Sequence, residues 1–450
     1  MASIFTHGLS FTPQEFQDYV IGPLFVNRDD IKGSFTVYTD VKGSKPLDYF
    51  SPLSKITKAY AKGSSFTSST GATVTRKTLT VSDMKAEIQQ DGREFEGLVT
   101  QALLGSGVDE SRLEDGNFFK ELLVDLFGDA IVHDLRMQAY FGDTTKEDVT
   151  AGVPDGSLDA NYSVYNGYWT TIINDFDNST IPAGQLVDLN TSTYVNTVAV
   201  KEVDTVTLTG VSGTANVNIN GTDYLATFNT SLTQTAADFV TSHAATIAAR
   251  WGKLVVTSTG ADIIVTAGVA GMPQQDPTVT NVTGNLAGTN ANTTANVATG
   301  TLKEDAALTA FKAMWAASPK ALRQFRNDGT LRIKVTDSLY DNYTETIENL
   351  NGSDIAQRTL VDGVSTLTFR GIPVQAESDW DMHIEDDFMS VRPHRALLTV
   401  PRNLAWGTDG EDDDMKFEMF YDQVEQDNYI RCEYKAGTMY IHSEYIVAAY

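Results

Sequence analysis

Between Asp115 and Asp143 the apolar residues come in stacked pairs: Phe118 and Phe119, Leu122 and Leu123, Leu126 and Phe127, Ala130 and Ile131, then Leu135 and Ala139. Positions four apart share one face of an α-helix, so these pairs form one broad apolar stripe. Asp115 or Asn117 can cap the start by accepting backbone N–H groups that have no partner inside the helix. Gly142 can close the end in a left-handed conformation. The spacing predicts a helix over 117–141, and roughly 25 residues at 1.5 Å each reach on the order of 40 Å. Gly128 is its weak point, at about 1 kcal/mol relative to Ala. Taken alone, such a helix fits the core of many α+β enzymes.

At 450 residues the chain has room for about three domains of roughly 150 residues. Cys432 is its one cysteine, which excludes an intrachain disulfide and a Cys-based zinc site. The opening MASIFTHGLSFTPQEF lacks the basic-then-apolar layout of a signal peptide. No run of about 18 apolar residues is present, so no membrane-spanning helix is expected.

The net charge of −26 is unevenly placed. From Ile31 to Thr80 there are eight cations (Lys32, Lys42, Lys45, Lys55, Lys58, Lys62, Arg76, Lys77) and two anions (Asp40, Asp48), a balance of +6. The remainder therefore carries −26 − 6 = −32. So acidic a body repels nucleic acid and argues against a sequence-specific DNA binder. A basic arm on an acidic body suits self-association, one copy's arm lying on the next copy's body. The competing reading, a nucleic-acid patch, asks for basic and aromatic residues on one face, and the segment does not cluster them so.

Residues 1–30 mix turns with aromatics (Phe5, Phe11, Phe16, Tyr19, Phe25), and Gly22-Pro23 breaks any helix. Residues 34–41 and 73–81 alternate and are rich in β-branched and aromatic types, so each reads as a strand. Joined by a Ser/Thr-rich connection, they predict an extended two-stranded arm that needs a surface to lie on. Residues 83–104 read as helical, and Trp169 as buried. From 195 to 300 the chain is rich in Thr, Ala, Asn, Val and Gly, with three cations and six anions. Strands are expected there at 203–209, 214–219, 223–228, 253–257 and 262–266, with a helix at about 232–250. Asn220-Gly221 signals a type I′ hairpin, Thr257 to Gly260 a second turn, and NVTGNLAGTNANTTANVATG a flexible linker. The stretch reads as a self-contained β-rich module inserted into a host domain. The host resumes with a helix at 302–317, a strand through Leu331, Ile333 and Val335, and a helix capped by Thr336 or Asp337. Two strands flank Arg370-Gly371. The chain closes with two further strands, YIRCEY and TMYIHSEYIV, joined at Lys435-Ala436-Gly437.

This order of elements resembles the major capsid proteins of tailed bacteriophages, the Hong Kong 97-type shell fold. The likeness rests on the basic segment 33–81, on the helix ending in LRMQAYFGD, on the block ASPKALRQFRNDGTLRIKVTDSLYDNYTETIENLNGSDIA with STLTFRGIPVQAESDWD, and on PRNLAWGTDGE with the closing strands. It covers most of the chain apart from 195–300, and it lies in the order rather than in any catalytic-grade signature. The resemblance implies an α+β fold with an N-terminal arm at 1–32 and an extended loop at 33–82. It implies a peripheral domain at 83–160 holding a spine helix at 117–141, with a return at 401–450. It implies an axial domain from 161–194 and 301–400, interrupted by the inserted β-rich domain at 195–300. The module itself resembles a repeat-like segment of phages of Bacteroidota, including crAss-like phages.

The implied role is a shell subunit built into hexamers and pentamers around double-stranded DNA, in a virion assembled in a bacterial cytoplasm. Its partners would be copies of itself, with separate scaffolding, portal and decoration proteins, and no membrane. Interface candidates are Lys42, Lys45, Lys55, Lys58, Lys62, Arg76 and Lys77 on the arm, and the run Glu411, Asp412, Asp413, Asp414 on the body. Some members of the family cross-link a loop Lys to a peripheral Asn; by region the nearest candidates are Lys55, Lys58 or Lys62 and Asn403. The same-fold alternative is a bacterial nanocompartment shell, and the alternative from another class is a glycan-binding or glycan-degrading surface protein.

Chemistry-bearing motifs are sparse. Glu411 to Asp414 and Glu385-Asp386-Asp387 lack the spaced ligands of a Ca²⁺ loop and read as solvated or inter-subunit acidic faces. The six histidines show no i, i+4 pair and no HExxH. His133 reads as a surface or satisfied residue rather than a base. A G-x-S-x-G elbow, a P-loop and a Rossmann fingerprint are all missing. Neither an enzymatic activity, a cofactor nor a metal is expected.

Overall fold

The computed structural model describes residues 34–39, 41–50, 57, 62, 74–91, 130–351, 358–361, 364–409, 416–422 and 427–450. The chain divides into two compact units. One comprises Met1–Tyr140, Tyr165–Thr171 and Pro401–His442; the other comprises Phe141–Val164, Ile172–Val400 and Ser443–Tyr450.

The first unit is built on the strand Asp427–Tyr440. It pairs antiparallel with Leu404–Thr408, Lys416–Asp422 and Ser82–Asp91, and the short strand Thr36–Tyr38 lies parallel to Leu404–Thr408. Two sequence expectations change here. YIRCEY and the TMY that follows are one continuous strand, the rest of the second expected strand being a 3-10 turn at Ser443–Tyr445 and the separate strand Val447–Ala449, and Gly437 is not a turn. A Cβ on Gly437 would sit 2.0 Å from the Thr80 carbonyl oxygen, so glycine is needed for a close backbone approach. The stretch expected to be helical at 83–104 is a strand as far as Asp91, and its continuation falls outside the described residues. Met84, Ala86 and Ile88 alternate with Asp83, Lys85 and Glu87, a period of two. Opposed charges fix its register: Glu87 faces Arg431 and Asp83 faces Lys435, with ion-pair distances of 3.3 and 3.8 Å.

Of the long helix, 130–141 is described and is helical throughout; 117–129 lies outside the described residues. Ile131, Val132, Leu135, Ala139 and Tyr140 are buried, as the stripe requires. Leu135 and Ala139 gather with Phe35 and Trp406. Phe35, Tyr140 and Tyr168 form a ring cluster with centroids 5.4 to 5.7 Å apart, and the Tyr168 hydroxyl donates to the Ala405 carbonyl at 2.8 Å. Trp169 is buried, as expected.

The second unit holds a seven-stranded sheet in the order Arg358–Val361, Val364–Phe369, Ile372–Ala376, Arg332–Val335, Ala396–Thr399, Val447–Ala449, Leu186–Val187. Helices Ala306–Ala317 and Asp337–Asn351 cover it through Ala306, Ala310, Phe311, Met314, Leu339, Tyr343 and Ile347, while Trp315 is only partly buried. Arg370 (φ 52°) and Gly371 (φ 78°) make the tight turn between two of the strands.

Residues 203–294 form the β-rich module within this unit. One sheet holds Thr222–Thr227, Gly213–Ile219 and Thr278–Gly284; the other holds Val255–Thr259, Asp262–Thr266, Val203–Thr209 and Ala287–Thr294. Helix Leu232–Ala248, capped by the Ser231 side chain, packs Ala236, Phe239 and Ile247 on a core with Val206, Val217, Ile219, Ile263 and Val265. Asn220 and Gly221 both have positive φ, as a type I′ turn demands. The expected linker is a correction: most of it lies in the strands Thr278–Gly284 and Ala287–Thr294. These strands are largely exposed and lack an apolar face. Hydroxyl pairs Thr205–Thr293 and Thr214–Thr283, at 2.7 and 2.8 Å, reinforce them instead. The module's two ends run side by side, with bridges Val195–Leu302 and Val200–Val297.

Candidate functional site

The basic arm is a hairpin, but not between the strands expected. Val74–Thr80 pairs with Ser44–Phe50, from Ser44 opposite Thr80 to Phe50 opposite Val74. The other expected strand survives only as Thr36–Tyr38, which joins the sheet instead. The two hairpin strands pair with no third strand among the described residues.

Alternation gives the hairpin two faces. Lys45, Leu47, Tyr49, Lys77 and Leu79 share one. Leu79 is fully buried and Leu47 nearly so, in a small cluster with Val41, Val81 and Ala405. Around that cluster the polar side chains of the same face are held by rings. Lys77 Nζ lies 3.5 Å from the centre of the Tyr440 ring, Lys45 Nζ 5.3 Å from that of Tyr38, and Tyr49 packs on His442 at 3.7 Å. The opposite face carries Val74, Asp48 and Arg76 and is exposed; Val74 is 53% accessible. Arg76 grips Asp48 with two hydrogen bonds of 2.6 and 2.9 Å. The guanidinium holds the Asp48 carboxyl below its ordinary range.

The candidate arm residues therefore separate. Lys45 and Lys77 lie on the rings of Tyr38 and Tyr440 in their own unit. Arg76 is on the outer face, paired across the hairpin. Lys42 and Lys62 are exposed. Lys55, Lys58 and Glu411 to Asp414 lie outside the described residues. Asp409, just before the acidic run, is buried, and its carboxylate accepts from the Lys435 backbone N–H at 3.2 Å. Nearby, Asp83, Met84, Lys85, Asp409, Glu433, Tyr434 and Lys435 line an open groove of about 710 Å³, mixed in charge rather than acidic.

Asn403 is a poor cross-link acceptor in this arrangement. It is fully buried; its Nδ2 donates to the His442 carbonyl at 3.1 Å and its Oδ1 accepts from the His442 N–H at 2.7 Å. An attacking amine would have to displace both bonds. The sequence reading also passed over Tyr38, Tyr440 and His442, whose role appears only when distant strands meet. It passed over Glu202, Asp204 and Asp276 as well, whose carboxylates lie within 4.8 Å of one another. A signal existed there: three of only six acids in the 195–300 segment.

No family model and no curated protein matches the chain. Among solved structures it is similar to the satellite phage P4 procapsid with its size determination protein, at 8% identity over 99% of this chain and 93% of that one, TM-score 0.43. It is similar to a structure of Mycobacterium phage Ogopogo at 9% identity over 93% and 90%, TM-score 0.38. The mature capsid of bacteriophage PhiM1 gives 8% identity over 93% and 86%, TM-score 0.34. At TM-scores below 0.5 these likenesses establish by themselves neither a shared fold nor a shared function.

Proposed function

We propose that the chain is a self-assembling shell subunit, the major capsid protein of a tailed phage of the Hong Kong 97 type. The observation that carries this reading is the hairpin of Ser44–Phe50 and Val74–Thr80. It is anchored by Leu47 and Leu79 at its base, paired to no third strand among the described residues, and belongs to a segment of net charge +6 on a chain of net charge −26. Its inner face is covered by its own unit through Leu47, Leu79, Lys77 and Tyr49, and its outer face, with Val74 and Arg76, is left open. A neighbouring copy supplies a surface of opposite charge, and one subunit can then bridge to the next without a specialised partner. In this reading Lys45 and Lys77 hold the hairpin's inner face to its own unit. Lys42, Lys55, Lys58, Lys62 and Arg76 remain for the neighbour, and Glu411 to Asp414 belong to the receiving surface.

The role is structural rather than catalytic. Copies build hexamers and pentamers around packaged double-stranded DNA without sequence-specific contacts, and separate scaffolding, portal and decoration proteins complete the shell. The virion is assembled in the host cytoplasm, and the module points to a phage of Bacteroidota of the crAss-like kind. Electron microscopy and sedimentation of the purified chain, with and without scaffold, test the reading. Capsomers or closed particles are expected; a strictly monomeric species at high concentration overturns it. Charge reversal at Lys55, Lys58 and Lys62 is expected to weaken assembly while the subunit stays folded. Undiminished assembly removes the arm from the mechanism.

A further inference from the structure

A second basic surface lies in the unit that does not hold the arm. Between Phe311 and Arg332 there are five cations (Lys312, Lys320, Arg323, Arg326, Arg332) and one acid, Asp328. The fold adds Arg370. The guanidinium carbons of Arg323, Arg326 and Arg370 lie 5.2, 5.6 and 5.9 Å from the centre of the Trp315 ring. Arg323 is committed to its own chain. Its Nε donates to Ser318 Oγ at 2.9 Å, and its Nη2 to the carbonyls of Trp315 and Ala316 at 2.7 and 3.0 Å, which closes the end of Ala306–Ala317. Arg326 and Arg370 are exposed, and no carboxylate among the described residues pairs with either. Arg370 also holds φ at 52°, a left-handed position that Gly, Asn or Asp fills more readily. Three like charges around one ring repel one another, and an anion from outside the chain relieves them.

The same unit carries a surface of opposite sign. On helix Asp337–Asn351 the acids Asp337, Asp341, Glu345 and Glu348 stand at i, i+4, i+8 and i+11, a narrow arc of one face. Asp341, Glu345 and Glu348 are exposed, and the opposite face buries Leu339, Tyr343 and Ile347. Such a row works against its own helix. Acids four apart repel. Glu345 and Glu348, toward the C-terminal end, oppose the helix dipole, and the last turn holds no basic residue to offset them. Each surface is strained alone, and each supplies what the other lacks.

We infer that the Arg326 and Arg370 face of one copy docks on the Asp341, Glu345 and Glu348 stripe of the next copy. The inference rests on the shell reading and adds a contact between subunits that does not involve the arm. The contact is heterologous: its two surfaces differ, every copy uses both, and repetition closes a ring when the rotation fits a full turn. Hexamers and pentamers are rings of this kind. The chain's net charge of −26 weighs against nucleic acid as the occupant of the basic face.

The full-length chain tests the contact through charge exchange, with assembly followed by sedimentation and electron microscopy and folding by circular dichroism melts. Two variants are made: Arg326→Glu with Arg370→Glu, and Glu345→Arg with Glu348→Arg. All four positions are exposed, so both variants are expected to melt as the wild type does. Each alone sets like charges against each other, and the concentration needed for assembly is expected to rise roughly tenfold or more. Mixed in equal amounts, the two variants present opposite charges again, but only where they alternate. The mixture is therefore expected to recover even-membered rings and no pentamers, whereas all four changes in one chain recover both. Either variant assembling at the wild-type concentration overturns the inference and leaves the shell reading standing. So does a folded mixture that recovers nothing. Unchanged assembly together with lost binding of duplex DNA in Arg326→Glu with Arg370→Glu gives the basic face to nucleic acid instead. A wild type that stays monomeric overturns the contact and the shell reading together.

Discussion

The contact between Leu79 and Gly407 decides whether the hairpin is held to its sheet, and a pair of opposed substitutions tests it. Leu79 is fully buried among Val41, Leu47, Val81 and Ala405. A Cβ on Gly407 would lie 2.8 Å from Leu79 Cδ2 and 3.1 Å from Val81 Cγ1. Leu79→Ala removes the centre of the cluster; large-to-small core changes cost about 2–5 kcal/mol. Partly buried Tyr38, Met439 and Ile441 flank the site and can settle inward, so the expected loss is in the lower half, about 2–3 kcal/mol. Gly407→Ala overpacks the same point at about 1–3 kcal/mol. In the double variant the new methyl enters the space that Leu79 vacated. The two costs then fail to add, with a favourable coupling of about 1–2 kcal/mol. Urea unfolding measures the totals. Hydrogen exchange at two amides reports the hairpin base directly: Val41 N–H, which donates to the Thr408 carbonyl at 3.1 Å, and Val81 N–H, which donates to Gly43 at 2.9 Å. Both amides are expected to lose protection in each single variant and to regain part of it in the double. Costs that add within about 0.5 kcal/mol, or protection unchanged by Leu79→Ala, refute the contact as the anchor.

Arg250→Met strips the module of its bond to Glu147 and of its hydrogen bonds to Thr222 Oγ1 and the carbonyls of Gly156 and Asn220. A buried Glu147 without its cation is expected to cost about 3–5 kcal/mol; because burial already raises that carboxyl, the cost should shrink as pH falls, in calorimetry. His442 is held down at about 4 by burial and, secondarily, by the charge of Arg402. The unfolded chain therefore binds more protons between pH 6.5 and 4, and stability is lost as pH falls through that window. His442→Gln is expected to flatten this slope in a pH series of urea midpoints. Asn403→Ala breaks both bonds to the His442 backbone, with an expected loss of about 1–3 kcal/mol per group left unsatisfied. Any assembly formed by the wild type, boiled in detergent, is expected to run at the monomer position on a gel; a covalent ladder lost in Asn403→Ala would mean that Asn403 leaves its pocket.

Local pattern was legible wherever one face of an element is apolar. Leu339, Tyr343 and Ile347 announced their helix, and Asn220-Gly221 its hairpin, because the information sits within a few residues. The stretch 281–300 reads as a linker because the strands Thr278–Gly284 and Ala287–Thr294 bury almost no apolar face; cross-strand hydroxyls and backbone pairing hold them, and neither leaves a periodic trace. The strand at Ser82–Asp91 was misread because its partner, Asp427–Tyr440, lies more than three hundred residues away, and Gly437 looked like a turn for the same reason. For the arm, the sequence located the charge but not its disposition. Whether Lys77 meets solvent or the Tyr440 ring depends on a pairing that no nearby residue encodes. The carboxylates of Glu202 and Asp204 stand two apart on one strand, but Asp276 joins them only through the folded sandwich.

The adjacent ends of the β-rich module carry a consequence for engineering. The Asn196 N–H meets the Thr301 carbonyl at 2.9 Å and the Val200 N–H meets that of Val297 at 2.9 Å, so the chain leaves and rejoins its host across a doorway only a strand's spacing wide. Anything whose termini fit that doorway can be grafted in its place, and a short turn can close it. The position is thus a socket: replacing the module with a short turn across it leaves both ends where the host sheet needs them.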